Sequence, residues 1–196
     1  MSFRRALKPN RKKGYIAYTL PRHRIIQSMH KNLLDFHKEV LKALENHQVN
    51  YLLVGGHAVG LYGYVRNTAD LDIWIDRSDR NLNALHAAFR SLGYSPDSTD
   101  HAIDELTRNK NIALFDDHNN KVDIIQIYST RISFEEAFRR KNQIKMAGVT
   151  LFVIGFDDLI NTKIISGRMK DLIDVKELKH LNDLKRKPPA SKGSFT

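Results

Sequence analysis

The stretch YLLVGGHAVGLYGYVRNTADLDIWID, residues 51–76, constrains the fold more than any other part of the chain. Tyr51 to Val54 form a short apolar run that reads as a buried strand, ended by Gly55-Gly56. Residues 57–63 then read as a short helix, so strand, glycine turn and helix follow one another with no room for a loop. Over 71–76 the next strand alternates: Leu71, Ile73 and Ile75 fall on one face, and Asp70, Asp72 and Trp74 on the other. A sheet with its apolar face covered by helices satisfies that pattern. The acidic face makes a separate demand, because neighbouring carboxylates repel and need a cation or water between them.

The flanking segments supply the helices. Leu33, His37, Val40, Leu41 and Leu44 recur at helical spacing, which predicts an amphipathic helix over 31–47. Ser78 or Asp79 caps a second helix carrying Leu82, Leu85, Phe89 and Leu92, and Gly93 closes it. Residues 95–109 are polar and lack a clear period, so they read as a long loop with a single helical turn. Residues 112–128 read as a hairpin turning at DHNN, and Ser133 with Glu136 makes a capping box opening a helix to about 140. A strand over 149–154 precedes a helical tail that starts at Asp157 or Asp158 and bends near Gly167. The expected fold class is α/β (α+β): a small mixed β-sheet with helices packed mainly on one face and the acidic side open.

At 196 residues the chain suffices for one domain with a proper core. It has no cysteine, which excludes disulfides, cysteine-ligated zinc and thiol catalysis. No apolar run approaches the ~20 residues that cross a bilayer, and the basic N-terminus lacks an apolar signal core, so a cytoplasmic location without membrane contact is expected. The net charge of +10 is unevenly spread: residues 1–34 hold nine Lys or Arg and residues 185–196 four, neither with any acid. Residues 35–184 hold 19 basic and 22 acidic residues. The expected organisation is a disordered basic leader over 1–28, one folded domain over 29–184 and a disordered basic tail over 185–196. Such tails either stay solvated or bind nucleic acid by counterion release.

Three features carry chemistry. Gly55-Gly56 before a helix lets backbone approach a ligand and presents free N–H groups to phosphate, although a tight turn alone also explains the pair. Asp70 and Asp72 offer oxygen ligands to magnesium, or are solvated residues of an edge strand. Asp123, in KVDIIQIY, sits among Val122, Ile124 and Ile125, where a carboxylate is costly without a cation or donors. Three carboxylates around two cations ~3.5–4 Å apart suit in-line phosphoryl chemistry, with Asp123 placed to take the acceptor's proton. The nine histidines show no metal-ligand spacing beside a carboxylate, so a zinc hydrolase is not indicated. His57 is expected on the surface, and Trp74 in the core rather than stacked on a base.

In order and spacing, Gly55-Gly56, Asp70-x-Asp72 and the separate strand residue Asp123 resemble the signature of the DNA polymerase β-like nucleotidyltransferase superfamily. Within it, residues 33–182 are similar to small bacterial nucleotidyltransferases related to the AbiEii toxin family. The resemblance implies a minimal nucleotidyltransferase fold in which Gly55 and Gly56 contact nucleotide phosphates and Asp70, Asp72 and Asp123 bind two Mg2+ ions. Arg66 and Thr68 match an R-x-T before the first aspartate, where Arg66 meets phosphate, braces the aspartates or forms a plain ion pair. Lys163 matches a lysine on the helix after the fourth strand, near the triphosphate. Lys170, Asp171 and Asp174 match K-D-x-x-D, and Asp174 also stands at ion-pair spacing from Lys170, which favours a structural role for the two acids. The implied activity is magnesium-dependent transfer of a nucleoside monophosphate, from a nucleoside triphosphate such as ATP, to a hydroxyl on tRNA, protein or a small molecule. A non-catalytic nucleotide- or RNA-binding component of a toxin–antitoxin pair, with a cognate protein partner, is the alternative.

Overall fold

The computed structural model describes residues 33–125, 132–146 and 148–186. Among them the chain forms α1 (Asp35–Asn46), β1 (Tyr51–Leu53), α2 (Gly55–Tyr62), β2 (Leu71–Ile75), α3 (Asp79–Ser91) and α4 (Pro96–Thr107). It continues as β3 (Ile112–Phe115), β4 (Lys121–Ile125), α5 (Phe134–Arg139), β5 (Asn142–Met146), β6 (Val149–Val153), α6 (Phe156–Ser166) and α7 (Met169–Arg186). The strands make one mixed sheet in the order β3-β4-β2-β1-β6-β5. β2 runs parallel to β4 and β1 parallel to β6, while the remaining pairs are antiparallel.

Register explains where the core sits. Partners in adjacent strands project to the same side, so Leu53, Ile73, Ile75, Val122, Ile124, Leu151 and Val153 share one face. All seven are 0% exposed, and burying that face supplies the main drive to fold. α1 packs on α3 and β6, and α3 packs on α4. α6 and α7 pack together, and both reach α2. On the opposite face Trp74 is closed over by Phe134 of α5, edge to face at 5.3 Å, and is core as expected. Asp72, Lys121 and Asp123, on the same face, stay half-buried.

Several local expectations change. The helix after β1 begins at Gly55, so the two glycines are its first turn instead of a turn before it. Residues 95–109 are not a loop: α4 spans Pro96–Thr107, with the Ser95 side chain accepting from Ser98 N–H and Pro96 at the first helical position. Its buried stripe is thin, Thr99 and Leu106 with Ala102 and Ile103 partly covered, and a polar Thr at a core position hides the period. β5 is an edge strand of mostly polar residues, NQIKM, which hydropathy did not mark. The hairpin holds, with Asp116 accepting from the N–H groups of His118 and Asn120 across its turn. The Ser133–Glu136 capping box is formed, and Gly167 separates α6 from α7 in the left-handed conformation. The leader over 1–28 lies outside the described residues. So does the tail from 187 onward; its first two positions, 185 and 186, belong to α7.

Candidate active site

The parallel pairing of β2 and β4 puts Asp72 opposite Asp123. Alternation then carries Asp70 and Lys121 onto the same face, one step toward the strand starts. The cation that the acidic face demanded is a side chain: Lys121 Nζ lies 3.0 Å from Asp70 Oδ2 and 2.9 Å from Asp123 Oδ2. Hydrogen bonds to Asp123 and Asp70 hold that ammonium above the ordinary lysine pKa. Asp72 is shifted the other way for a carboxyl. Burial and then the neighbouring Asp123 and Asp70 push it up, against a hydrogen bond from Gly56 N–H and the field of Lys121.

The glycines exist to admit these side chains. Gly55 has φ +62°, and a Cβ there would stand 1.9 Å from Asp72 Oδ2. A Cβ on Gly56 would stand 2.5 Å from Thr68 Oγ1 and 2.8 Å from Thr68 Cβ. Thr68 of the R-x-T therefore packs against the helix start. Arg66 of the same motif reaches α7, with Nε 2.8 Å and one terminal nitrogen 3.0 Å from the two oxygens of Asp174. Lys163 is 4% exposed and shared between Asp171 at 2.8 Å and Asp174 at 2.7 Å. So Asp174 is bound by Arg66 and Lys163, and the anticipated helix pair with Lys170 is replaced by this network. Burial raises the Asp171 carboxyl, but hydrogen bonds from Lys163, Ser166 and Arg168 outweigh it and bring the pKa down to about 2.

A cavity of about 470 Å³ opens beside the carboxylates, lined by Gly55, Asp72, Asn111, Lys163, Arg168 and Asp171 among others. That volume suits a nucleotide-sized ligand. Asp72 borders both the cavity and the carboxylate cluster, whereas Asp70 and Asp123 border only the cluster. Among the described residues no three Asp, Glu or His side chains stand grouped as a ready-made metal cage. The donor chemistry still fits magnesium, which takes one or two protein carboxylates and completes its shell with water and phosphate oxygens.

Beneath the site, His57 corrects its expected surface place: it is 0% exposed because the helix begins two residues earlier and turns it inward. Neither ring nitrogen of His57 has a protein partner, and burial lowers its pKa to about 4. It meets His37 edge to face at 5.6 Å, and His37 Nε2–H donates to the Lys121 carbonyl at 3.1 Å.

A family model described as "Nucleotidyltransferase of unknown function (DUF6036)" matches residues 31–185. The chain belongs to the DUF6036 family. Similar solved structures include an antigenic nucleotidyltransferase-like protein from Paracoccidioides brasiliensis, 14% identical, TM-score 0.47, covering 82% of this chain and 76% of that one. A candidate nucleotidyltransferase from Thermotoga maritima is 16% identical, TM-score 0.47, covering 84% and 96%. The antibiotic-resistance factor ANT(2'')-Ia is 13% identical, TM-score 0.45, covering 82% and 92%. No curated protein matches. The DUF6036 description gives the general class, nucleotidyltransferase, and with it a nucleotide as substrate.

In this DUF6036 protein the expected site residues fall into two groups. Asp70, Asp72 and Asp123 come together on the open face, with Gly55 and Gly56 against Asp72. Arg66, Thr68 and Lys163 stand behind them as the brace between α2 and α7. Two further residues were missed. Lys121 was legible, since a lysine two positions before Asp123 must share its face. Arg168, 64% exposed on the cavity wall and 2.6 Å from Asp171, gave no signal in sequence. No described helix is long and apolar enough to cross a membrane.

Proposed function

We propose that this protein transfers a nucleoside monophosphate from a nucleoside triphosphate to a hydroxyl, with Asp70, Asp72 and Asp123 as the ligands of two Mg2+ ions. The observation that carries this is the position of Asp72, whose carboxylate borders both the cluster of acids and the nucleotide-sized cavity. Magnesium held there would neutralise phosphate charge and acidify the acceptor hydroxyl. The chain's own residues do the rest. Gly55 and Gly56 bring backbone against the phosphates, while Arg168 and Lys163 add positive charge along the cavity wall. Arg66 and Thr68 fix the helix start that carries the glycines. Asp123 accepts the hydroxyl proton as the acceptor's oxygen bonds to the α-phosphorus and the bond to the departing pyrophosphate breaks.

The resemblance to relatives of the AbiEii toxin family supports a cytoplasmic toxin-type role with a cognate partner, and a macromolecule or small molecule as acceptor. Incubating the protein with each labelled triphosphate, Mg2+ and total cell extract should label one acceptor class. Asp70→Asn with Asp72→Asn should reduce that label to background. Full labelling by the folded double variant would overturn the assignment and leave a nucleotide-binding component as the better description.

A further inference from the structure

Lys121 occupies the space where two of the three carboxylates would share a cation. This inference rests on the reading of Asp70, Asp72 and Asp123 as divalent-cation ligands. An ammonium hydrogen-bonded to carboxylates keeps each oxygen about 2.7–3.0 Å away, as the contacts to Asp70 and Asp123 do. Magnesium needs its oxygens at about 2.0–2.1 Å. The lysine therefore spreads the pair wider than a shared ion allows.

Ammonium and divalent ion cannot use the same oxygens together, because two cations at that range repel strongly wherever water is partly excluded. Among the described residues the ammonium of Lys121 is held by Asp70 and Asp123. It is the first residue of β4, next to the hairpin turn, and its side chain is 29% exposed. It can swing to solvent without opening the core. We propose that Lys121 is a tethered counter-ion. It holds Asp70 and Asp123 together across β2 and β4 in the cation-free protein and is displaced when a divalent ion enters. The side chain thereby raises the cation concentration at which the site loads. A lysine that stayed in place beside the bound ion would also weaken cation binding by its charge. Its ammonium would remain shielded, so displacement is read from its reactivity.

Mn2+ binding to the full chain, followed by the electron paramagnetic resonance of the free ion, tests this. Lys121→Met should bind Mn2+ about ten-fold or more tightly than wild type, since no charge need be expelled, and Lys121→Arg should stay near wild type. In the wild type, acetylation of Lys121 by acetic anhydride, read by mass spectrometry against the exposed Lys176, should rise several-fold with Mn2+. Equal or weaker Mn2+ affinity in Lys121→Met, with binding still lost in Asp72→Asn, overturns the counter-ion and keeps the ligands. An absence of Mn2+ binding in both wild type and Lys121→Met overturns both ideas. If Lys121→Met does not fold, unchanged acetylation in the Mn2+-loaded wild type is enough to overturn the counter-ion.

Discussion

Gly56 has space for a hydrogen and nothing larger. A methyl there meets Thr68 at 2.5 and 2.8 Å, and Thr68 is β-branched, so it cannot rotate both contacts away. Gly56→Ala should cost about 1–3 kcal/mol in urea unfolding, and adding Thr68→Gly should recover much of it. That Gly56 was a glycine of consequence was legible in sequence. That its neighbour is a threonine twelve positions on was not, because the contact exists only after the chain turns back as β2. His57 carries a second residue-scale prediction. Its folded pKa, about 4, lies below the unfolded value of about 6.5. Between those limits the unfolded chain takes up a proton that the folded one refuses, so stability is lost as pH falls through that window. His57→Leu should flatten this part of the stability–pH curve by up to about 3 kcal/mol, with a residual slope from His37, whose pKa burial also lowers. An unchanged slope would mean that His57 is not neutral in the fold.

At the scale of elements, α7 is fastened to the loop before β2 by charges and not by apolar packing alone. Asp174 is 0% exposed and takes Arg66 from 108 residues away together with Lys163. The two cations are unequal. The Arg66 side chain is 24% exposed and can turn to water, whereas that of Lys163 is 5% exposed and cannot. Removing the acid leaves Lys163 with Asp171 at 2.8 Å and takes from Arg66 both of its carboxylate hydrogen bonds. Asp174→Ala should destabilise by about 3–5 kcal/mol. Adding Lys163→Met should restore none of it, because Asp171, 2% exposed, would then keep only Ser166 and Arg168. Urea midpoints of the two variants decide the point; a higher midpoint in the double variant would mean that Asp171 alone does not compensate Lys163. Sequence spacing offered Lys170 as the partner of Asp174, since along a helix spacing reveals only neighbours three or four positions apart. The real partners depend on how α2, α6 and α7 pack. The same limit applies to α4, whose caps at Ser95 and Pro96 were readable although its buried stripe runs through Thr99. β2 and β4, by contrast, were legible because alternation alone separates Asp72 and Asp123 from the apolar residues that flank them.

For the whole molecule, the distribution of charge matters more than its sum. The basic excess is confined to residues 1–34 and 185–196, while residues 35–184 carry a small acidic excess. The family match, residues 31–185, coincides with the nearly neutral part. Chemistry and basic charge therefore occupy different segments of the chain, and they should separate experimentally. If the tails hold an RNA acceptor by counterion release, affinity should fall steeply between 50 and 200 mM salt, by about ten-fold or more for a few phosphate contacts. A chain lacking residues 1–28 and 187–196 should lose that salt-dependent binding while keeping its unfolding midpoint, because the apolar face of the sheet and the network around Asp174 lie wholly within 33–186. Filter binding across a salt series, on both forms with the same RNA, gives the answer. RNA affinity retained by the shortened chain would move the contact onto the folded part, where Arg168 on the cavity wall and Lys176 and Lys179 on α7 are exposed basic residues.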